Sequence, residues 1–430
     1  MAKTVRDRLE TALSIIADPK GEGARACLTV YADSARAAAD AADARAKQGT
    51  TLGPLDGTIV SIKDLFDVAG EPTRAGSKIL RDAPPAKADA AIVQRLRAAG
   101  AVIAAKTSMT EFAFSGVGFN PHYGTPGNPV DRARVPGGSS SGAGVAAADG
   151  MCDIAIGTDT GGSVRIPAAL CGIVGFKPSR QRVPTRGAFP LSFTLDSIGP
   201  LAKTVEQCFH ADAVMAGEAA GTLSPAPLKG LRFAVLENAS FTPHDATVSS
   251  AFAAGLDTLR KAGVVATPTP FPFLDAMLAV NPKGGFPVPE AFSIHRERLA
   301  TRGEDFDPHV RARIGRGGQI AAADYIDLIQ VRNRLVREID GWMEDFDALV
   351  LPTTPIVAPT IAEVQDPDTF VMRNTALLSN TAIMNFFDLC AVSLPLPVSG
   401  LHVGLMLVVR NGQDKRLLRI ARAVEQLFGG

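Results

Sequence analysis

Gly157-Thr-Asp-Thr-Gly-Gly-Ser-Val-Arg-Ile-Pro-Ala-Ala-Leu-Cys-Gly-Ile-Val-Gly-Phe-Lys-Pro-Ser179 packs small residues and hydroxyls into a run that neither an ordinary strand nor an ordinary helix favours. Asp159 to Ser163 reads as a loop that exposes backbone. The adjacent Gly161 and Gly162 lack the Cβ atoms that would keep successive N–H groups from converging on one point. Such a nest suits an anion or a developing oxyanion, and Ser163 sets a nucleophilic hydroxyl beside donors aimed where negative charge forms in acyl transfer. Taken alone, the same residues would also serve as a tight turn between two expected buried strands, Ile154 to Ile156 and Ile173 to Phe176.

Two upstream segments separate these readings. One is a second Ser/Gly cluster, Pro136-Gly-Gly-Ser-Ser-Ser-Gly142, and the other is Thr58-Ile-Val-Ser-Ile-Lys-Asp-Leu-Phe66, with Lys63 among apolar neighbours. Ile59, Val60 and Ile62 carry that lysine towards an interior. To accept a proton near neutrality, its pKa must fall from about 10 to about 7, and desolvation is the usual means. Read by itself, Lys63 would also suit a strand end, snorkelling to water beside Asp64 or Asp67.

In combination and order, the three segments closely resemble the amidase signature family, whose members hydrolyse amides with a Ser-Ser-Lys triad. The family's lysine after an apolar strand, first serine of a GGSS run and serine after a second Gly-Gly match Lys63, Ser139 and Ser163. The two serines are 24 residues apart, which is also similar to the family. The resemblance implies that Ser163 attacks the carbonyl, that Ser139 relays the proton and that neutral Lys63 is the final base. It further implies an oxyanion hole from the N–H groups of Thr160, Gly161, Gly162 and Ser163, and a cis peptide before Ser139. No metal or organic cofactor is expected.

Other segments extend the likeness. Lys106-Thr-Ser-Met-Thr-Glu-Phe-Ala-Phe-Ser115 is similar to the family's GKTNxxEFA segment, with Ala105 and Ser108 as departures. There the resemblance implies that the backbone at Ala113 and Ser115 faces the substrate, while Phe112 and Phe114 are expected in the core. Arg165 is read as a structural brace of the loop rather than a carboxylate anchor. Asp196, in Leu195-Asp-Ser-Ile-Gly-Pro200, is also read as structural.

The implied fold is α/β: a large mixed, mostly parallel central sheet with helices on both faces, forming one domain over residues 1–430. The motifs are dense from about 52 to 200. Residues from about 274 to 345 form a variable helical cap, whose closely mixed arginines and acids read as a solvated face. Helices are expected at Val5 to Ala17 and Ala24 to Lys47, with a last strand and helix in the tail.

Composition narrows the class. Lys+Arg and Asp+Glu both number 44, so nothing favours nucleic acid or an anionic membrane as partner. No apolar run of about 18 residues is present, and five scattered cysteines without a CxxC pair fit a reducing compartment. The expected protein is cytoplasmic, acts on a small-molecule amide and forms a homodimer.

Two rivals remain. Gly138-Ser-Ser-Ser-Gly142 formally matches a nucleophile elbow with Ser140 attacking and His402 as partner, but lacks a good preceding strand. A glutamine-hydrolysing subunit of a tRNA-dependent amidotransferase shares the signature. Against it, residues 370–385 lack the YxxD-containing pattern expected for a glutamine site. His402 also departs from the proline common before Val-Gly-Leu.

Overall fold

The computed structural model describes residues 3–237, 243–281 and 284–429; residues 282 and 283 of the expected cap therefore lie outside the described part. The strands are β1 (Cys27–Val30), β2 (Ile59–Lys63), β3 (Val102–Thr107), β4 (Ile154–Thr158), β5 (Val174–Lys177) and β6 (Ile198–Ala202). They continue with β7 (Arg232–Leu236), β8 (Val265–Thr269), β9 (Ala348–Pro352), β10 (Cys390–Pro395) and β11 (Gly404–Val409). All belong to one sheet in the order β1-β3-β2-β4-β6-β5-β10-β11-β9-β7-β8.

The sheet is mixed, but the expected predominance of parallel pairing does not hold. Six neighbouring pairs are antiparallel and four are parallel. The parallel pairs lie towards the two sides, in β3-β2-β4 and β9-β7-β8. In the middle, β10 and β11 are joined by a short connection that can only return antiparallel.

Alternation along each strand distributes side chains between two cores. Val60 and Ile62 of β2 join one large cluster, whereas Ile59 joins another with Val102, Ala104 and Ala155. Helices Val5–Ala17, Ala32–Lys47 and Ser141–Ala148 contribute to the second cluster; Val205–Ala216, Ala246–Lys261 and Asp414–Leu427 contribute to the first. With both faces covered, inner strands such as β9 (Ala-Leu-Val-Leu-Pro) and β11 (Gly-Leu-Met-Leu-Val-Val) are near-continuous apolar runs, whereas the edge strand β8 is largely exposed. Each fully buried Val or Ile there contributes roughly 1.5–3 kcal/mol.

The helix expected over Ala24 to Lys47 is broken. Gly23–Ala26 makes a single turn, β1 follows, and the long helix starts at Ala32. Thr29 and Val30 are β-branched and stiff at χ1, and they pair antiparallel with Lys106 and Ala105 of β3. The alanine-rich surroundings mask this short strand.

Candidate active site

Lys63 and Thr158 are the last residues of β2 and β4, adjacent parallel strands registered Ile62 to Ile156. Their side chains consequently emerge at the same, carboxyl-terminal edge of the sheet, where α/β folds bind ligands. Lys63 is fully buried. Its Nζ donates to Ser139 Oγ at 2.8 Å and to Thr158 Oγ1 at 2.9 Å. Burial pulls the lysine down to about 7, against the opposing charges of Asp196 and Asp159.

Ser139 follows a cis peptide from Gly138 and precedes helix Ser141–Ala148. The Ser140 N–H donates to the Ser163 carbonyl at 3.3 Å, tying the two serine loops together. Ser163 is nearly buried, and among the described residues its hydroxyl makes no hydrogen bond. It lines a cavity of about 30 Å³ with Thr160, Gly161, Ala113, Phe114 and Ser115. A larger cavity of about 290 Å³, which includes Thr158 and Asp196, shares Ala113 and Leu191 with it.

The loop before Ser163 is organised from within by Asp159. Its carboxylate accepts from the N–H groups of Gly162, Val164 and Arg165, from the Arg165 guanidinium and from Asn385 Nδ2. Burial pushes this carboxyl up, but the Arg165 charge and hydrogen bonds outweigh it and hold Asp159 well below the usual carboxylate range. Gly162 thus departs from the expected oxyanion set, because its N–H already points to Asp159 at 2.8 Å. The N–H groups of Thr160, Gly161 and Ser163 have no acceptor among the described residues. Gly162 also has φ +134°, and a Cβ there would lie 2.2 Å from Thr381 Oγ1.

Arg165 is fully buried and paired with Asp159, away from any solvent path, in agreement with its reading as a brace. Asp196 accepts from Thr160 Oγ1 at 2.6 Å and from the N–H groups of Leu191 and Ser192. Burial raises its carboxyl to about 6 despite those donors. Ser115 lines the cavity with its hydroxyl engaged by Asn374 Oδ1. Phe112 and Ala113 both have positive φ, 50° and 60°. Such non-glycine backbone carries about 1–3 kcal/mol of strain per residue and is held only where packing enforces it. Phe112 lies in the core against Phe189, His295 and Phe306. Phe114, expected only in the core, is buried and also forms part of the cavity wall.

The rival elbow is not formed. Residues 135–140 follow no strand, Ser140 is buried with its hydroxyl directed to the Thr158 carbonyl, and His402 packs against Gly172.

Several supporting residues have no local sequence signal. Thr381 Oγ1 donates to the Gly161 carbonyl, and Asn385 bonds both Asp159 and Arg165. Asn374 holds Ser115 and the Gly116 N–H. Arg313, from the charged stretch expected to be a solvated face, instead turns onto Phe114 and lines the Ser163 cavity.

A family model described as Amidase matches residues 17–418. The chain belongs to the amidase family. This family member is 37% identical over 403 residues to 2-amino-5-chloromuconic acid deaminase of Comamonas testosteroni, covering 92% of this chain and 87% of that protein. It is 36% identical over 439 residues to a glutamyl-tRNA(Gln) amidotransferase subunit from Chloroflexus aurantiacus, covering 94% and 89% respectively. A crystal structure described simply as an amidase superposes with a TM-score of 0.88 at 32% identity, over 99% of this chain and 97% of the other. Among the described residues of this amidase-family chain, no helix is long and apolar enough to cross a membrane.

Proposed function

We propose that this amidohydrolase cleaves a small-molecule carboxamide to a carboxylate and ammonia or an amine through an acyl-enzyme on Ser163. The carrying observation is the 2.8 Å bond from Lys63 Nζ to Ser139 Oγ, made by an enclosed lysine whose pKa lies near neutrality. In the neutral amine, the nitrogen lone pair is available to take a proton through the Ser139 hydroxyl. Ser163 Oγ attacks the carbonyl carbon while its proton passes to Ser139 Oγ and the Ser139 proton passes to Lys63 Nζ. The carbonyl π electrons move to oxygen, where the N–H groups of Thr160, Gly161 and Ser163 receive the charge. Collapse breaks the C–N bond, and the relay returns a proton to the leaving nitrogen. Water then attacks the ester carbonyl with the same relay as base, releasing the acid and restoring Ser163.

The unbroken sheet supports treating residues 1–430 as one catalytic unit, with the helical segment around 274–345 as its cap. Five free, buried cysteines support a reducing, cytoplasmic setting. A homodimer completes the proposal, and sedimentation equilibrium reads it directly. The test of the chemistry is ammonia release from a panel of amides by the parent enzyme and Ser163→Ala. A loss of at least about a thousandfold supports the nucleophile, whereas equal turnover overturns it.

The similarity to a tRNA-dependent amidotransferase component favours one second reading, a glutamine-hydrolysing subunit. Turnover of glutamine above other amides, together with a co-purifying partner, would favour it.

A further inference from the structure

The cap places one charged side chain on the wall of the cavity that holds the Ser163 hydroxyl. Arg313 lies on helix Pro308–Gly315 and shares that wall with Phe114, Leu191, Pro287 and Leu378, all apolar. Its guanidinium carbon sits 4.3 Å from the centre of the Phe114 ring, and Nη1 donates to the Phe114 carbonyl at 3.1 Å. Stacking and one hydrogen bond fix the plane of the fork but leave most of its five N–H donors unused.

No carboxylate pairs with Arg313 among the described residues. Its helix neighbour Arg311 pairs with Glu304, and Arg302 pairs with Asp305, so acids are available in the cap and are engaged elsewhere. The charge that does act on Arg313 is Arg316, of the same sign. Burial, with Arg316 beside it, brings the guanidinium down to about 10, which still leaves it charged at neutral pH. The side chain is half-buried, and a partly desolvated cation that faces a cavity without an anion is a ready partner for one that a ligand supplies.

We propose that Arg313 anchors a carboxylate carried by the substrate, so that the enzyme acts on short carboxylate-bearing amides such as the monoamides of small dicarboxylic acids. Ser163 and Arg313 line the same cavity, so the amide and the acid belong to one short substrate. Guanidinium and carboxylate match as planar forks, which orients the substrate as well as binding it. The inference rests on the hydrolysis proposed above and specifies its substrate class.

The test has two arms. In the first, kcat/KM is measured on malonamate and succinamate and on the corresponding neutral diamides, with the parent enzyme, Arg313→Met and Arg313→Lys. The parent prefers the acid-bearing amide, and Arg313→Met lowers the ratio of acid to diamide kcat/KM by about 100-fold, chiefly through KM on the acid. Arg313→Lys, which keeps charge but loses the fork, recovers part of the ratio. A ratio that stays within threefold in Arg313→Met, or a parent enzyme without acid preference, overturns the anchor.

In the second arm, calorimetry measures malonate and succinate binding to Ser163→Ala with and without Arg313→Met, after circular dichroism has matched the folds. Binding lost with the arginine supports the anchor even if every amide proves inert, in which case the hydrolysis reading alone falls. Diamide turnover with Arg313-independent or absent dicarboxylate binding removes the anchor and leaves the hydrolysis standing.

Discussion

Lys63 and Ser139 come from segments 76 residues apart, yet Nζ and Oγ meet at 2.8 Å inside a site where neither side chain is exposed. Burial is the largest influence on the lysine and sets it near 7. If neutral Lys63 is the base, kcat/KM rises about tenfold per pH unit below 7 and levels above it. A profile from pH 5 to 9 measures this, and no inflection between about 6 and 8 excludes Lys63 as the titrating base.

The same shift has a consequence for stability. Free lysine titrates near 10.5, whereas the folded group titrates near 7. Between those values the unfolded chain holds the extra proton, so the lysine's contribution to stability improves as pH rises through that window. Below about 7 the folded state also holds the proton, and the burial penalty is complete. Lys63→Met is expected to abolish turnover and to raise the urea midpoint at pH 7. An unchanged or lower midpoint would mean that the hydrogen bonds to Ser139 and Thr158 outweigh desolvation.

The proposed reacting set is legible in the sequence because close backbone approach demands small side chains in sequence. Ser139 and Ser163 each stand beside paired glycines, and Lys63 interrupts an apolar strand. Thr381, Asn385 and Asn374 escape because they reach the site from 216 to 259 positions away, as polar groups on mostly apolar helices. Arg313 escapes for the opposite reason. A charge-mixed helix carries no mark of which arginine turns inward. The sheet's polarity is not legible because strand direction depends on partners remote in sequence, and β1 vanishes into an alanine-rich background that fits helix as well.

Gly162 offers a local test of the loop. Its φ of +134° is open to glycine alone, and a Cβ would lie 2.2 Å from Thr381 Oγ1 and 2.7 Å from Ile166 Cδ1. Gly162→Ala is expected to destabilise by about 1–3 kcal/mol and to lower kcat by more than tenfold by moving the adjacent Ser163. Urea unfolding and steady-state kinetics read the two effects separately, and a variant with parental kcat contradicts the tight seating of this turn.

Arg165 and Asp159 form an ion pair with no exposure on either side. Arg165→Met leaves the Asp159 charge uncompensated in the core, and loss of one partner from such a pair typically costs about 3–5 kcal/mol. The native carboxyl is held below its ordinary value, so its contribution is present above about pH 4 and lost as pH falls towards its depressed pKa. Denaturation of the variant at pH 7 should show most of that loss. A change below about 1 kcal/mol would mean that Asn385 and the loop N–H groups suffice to hold the aspartate.

Asp196 connects loop geometry to the lysine. It fixes Thr160 through a 2.6 Å hydrogen bond, and its charge is the largest influence opposing the fall of the Lys63 pKa. Asp196→Asn keeps the shape and one of the two acceptor oxygens while removing the charge and loosening the loop that both oxygens hold, so Lys63 should titrate lower still. The acid limb of the pH profile then moves below pH 7, even as kcat on the plateau falls by roughly tenfold because the N–H of Thr160 is less firmly aimed. A merely structural role would reduce activity without moving the limb. A limb that moves upward would contradict both the sign of the coupling and the assignment of the titration to Lys63.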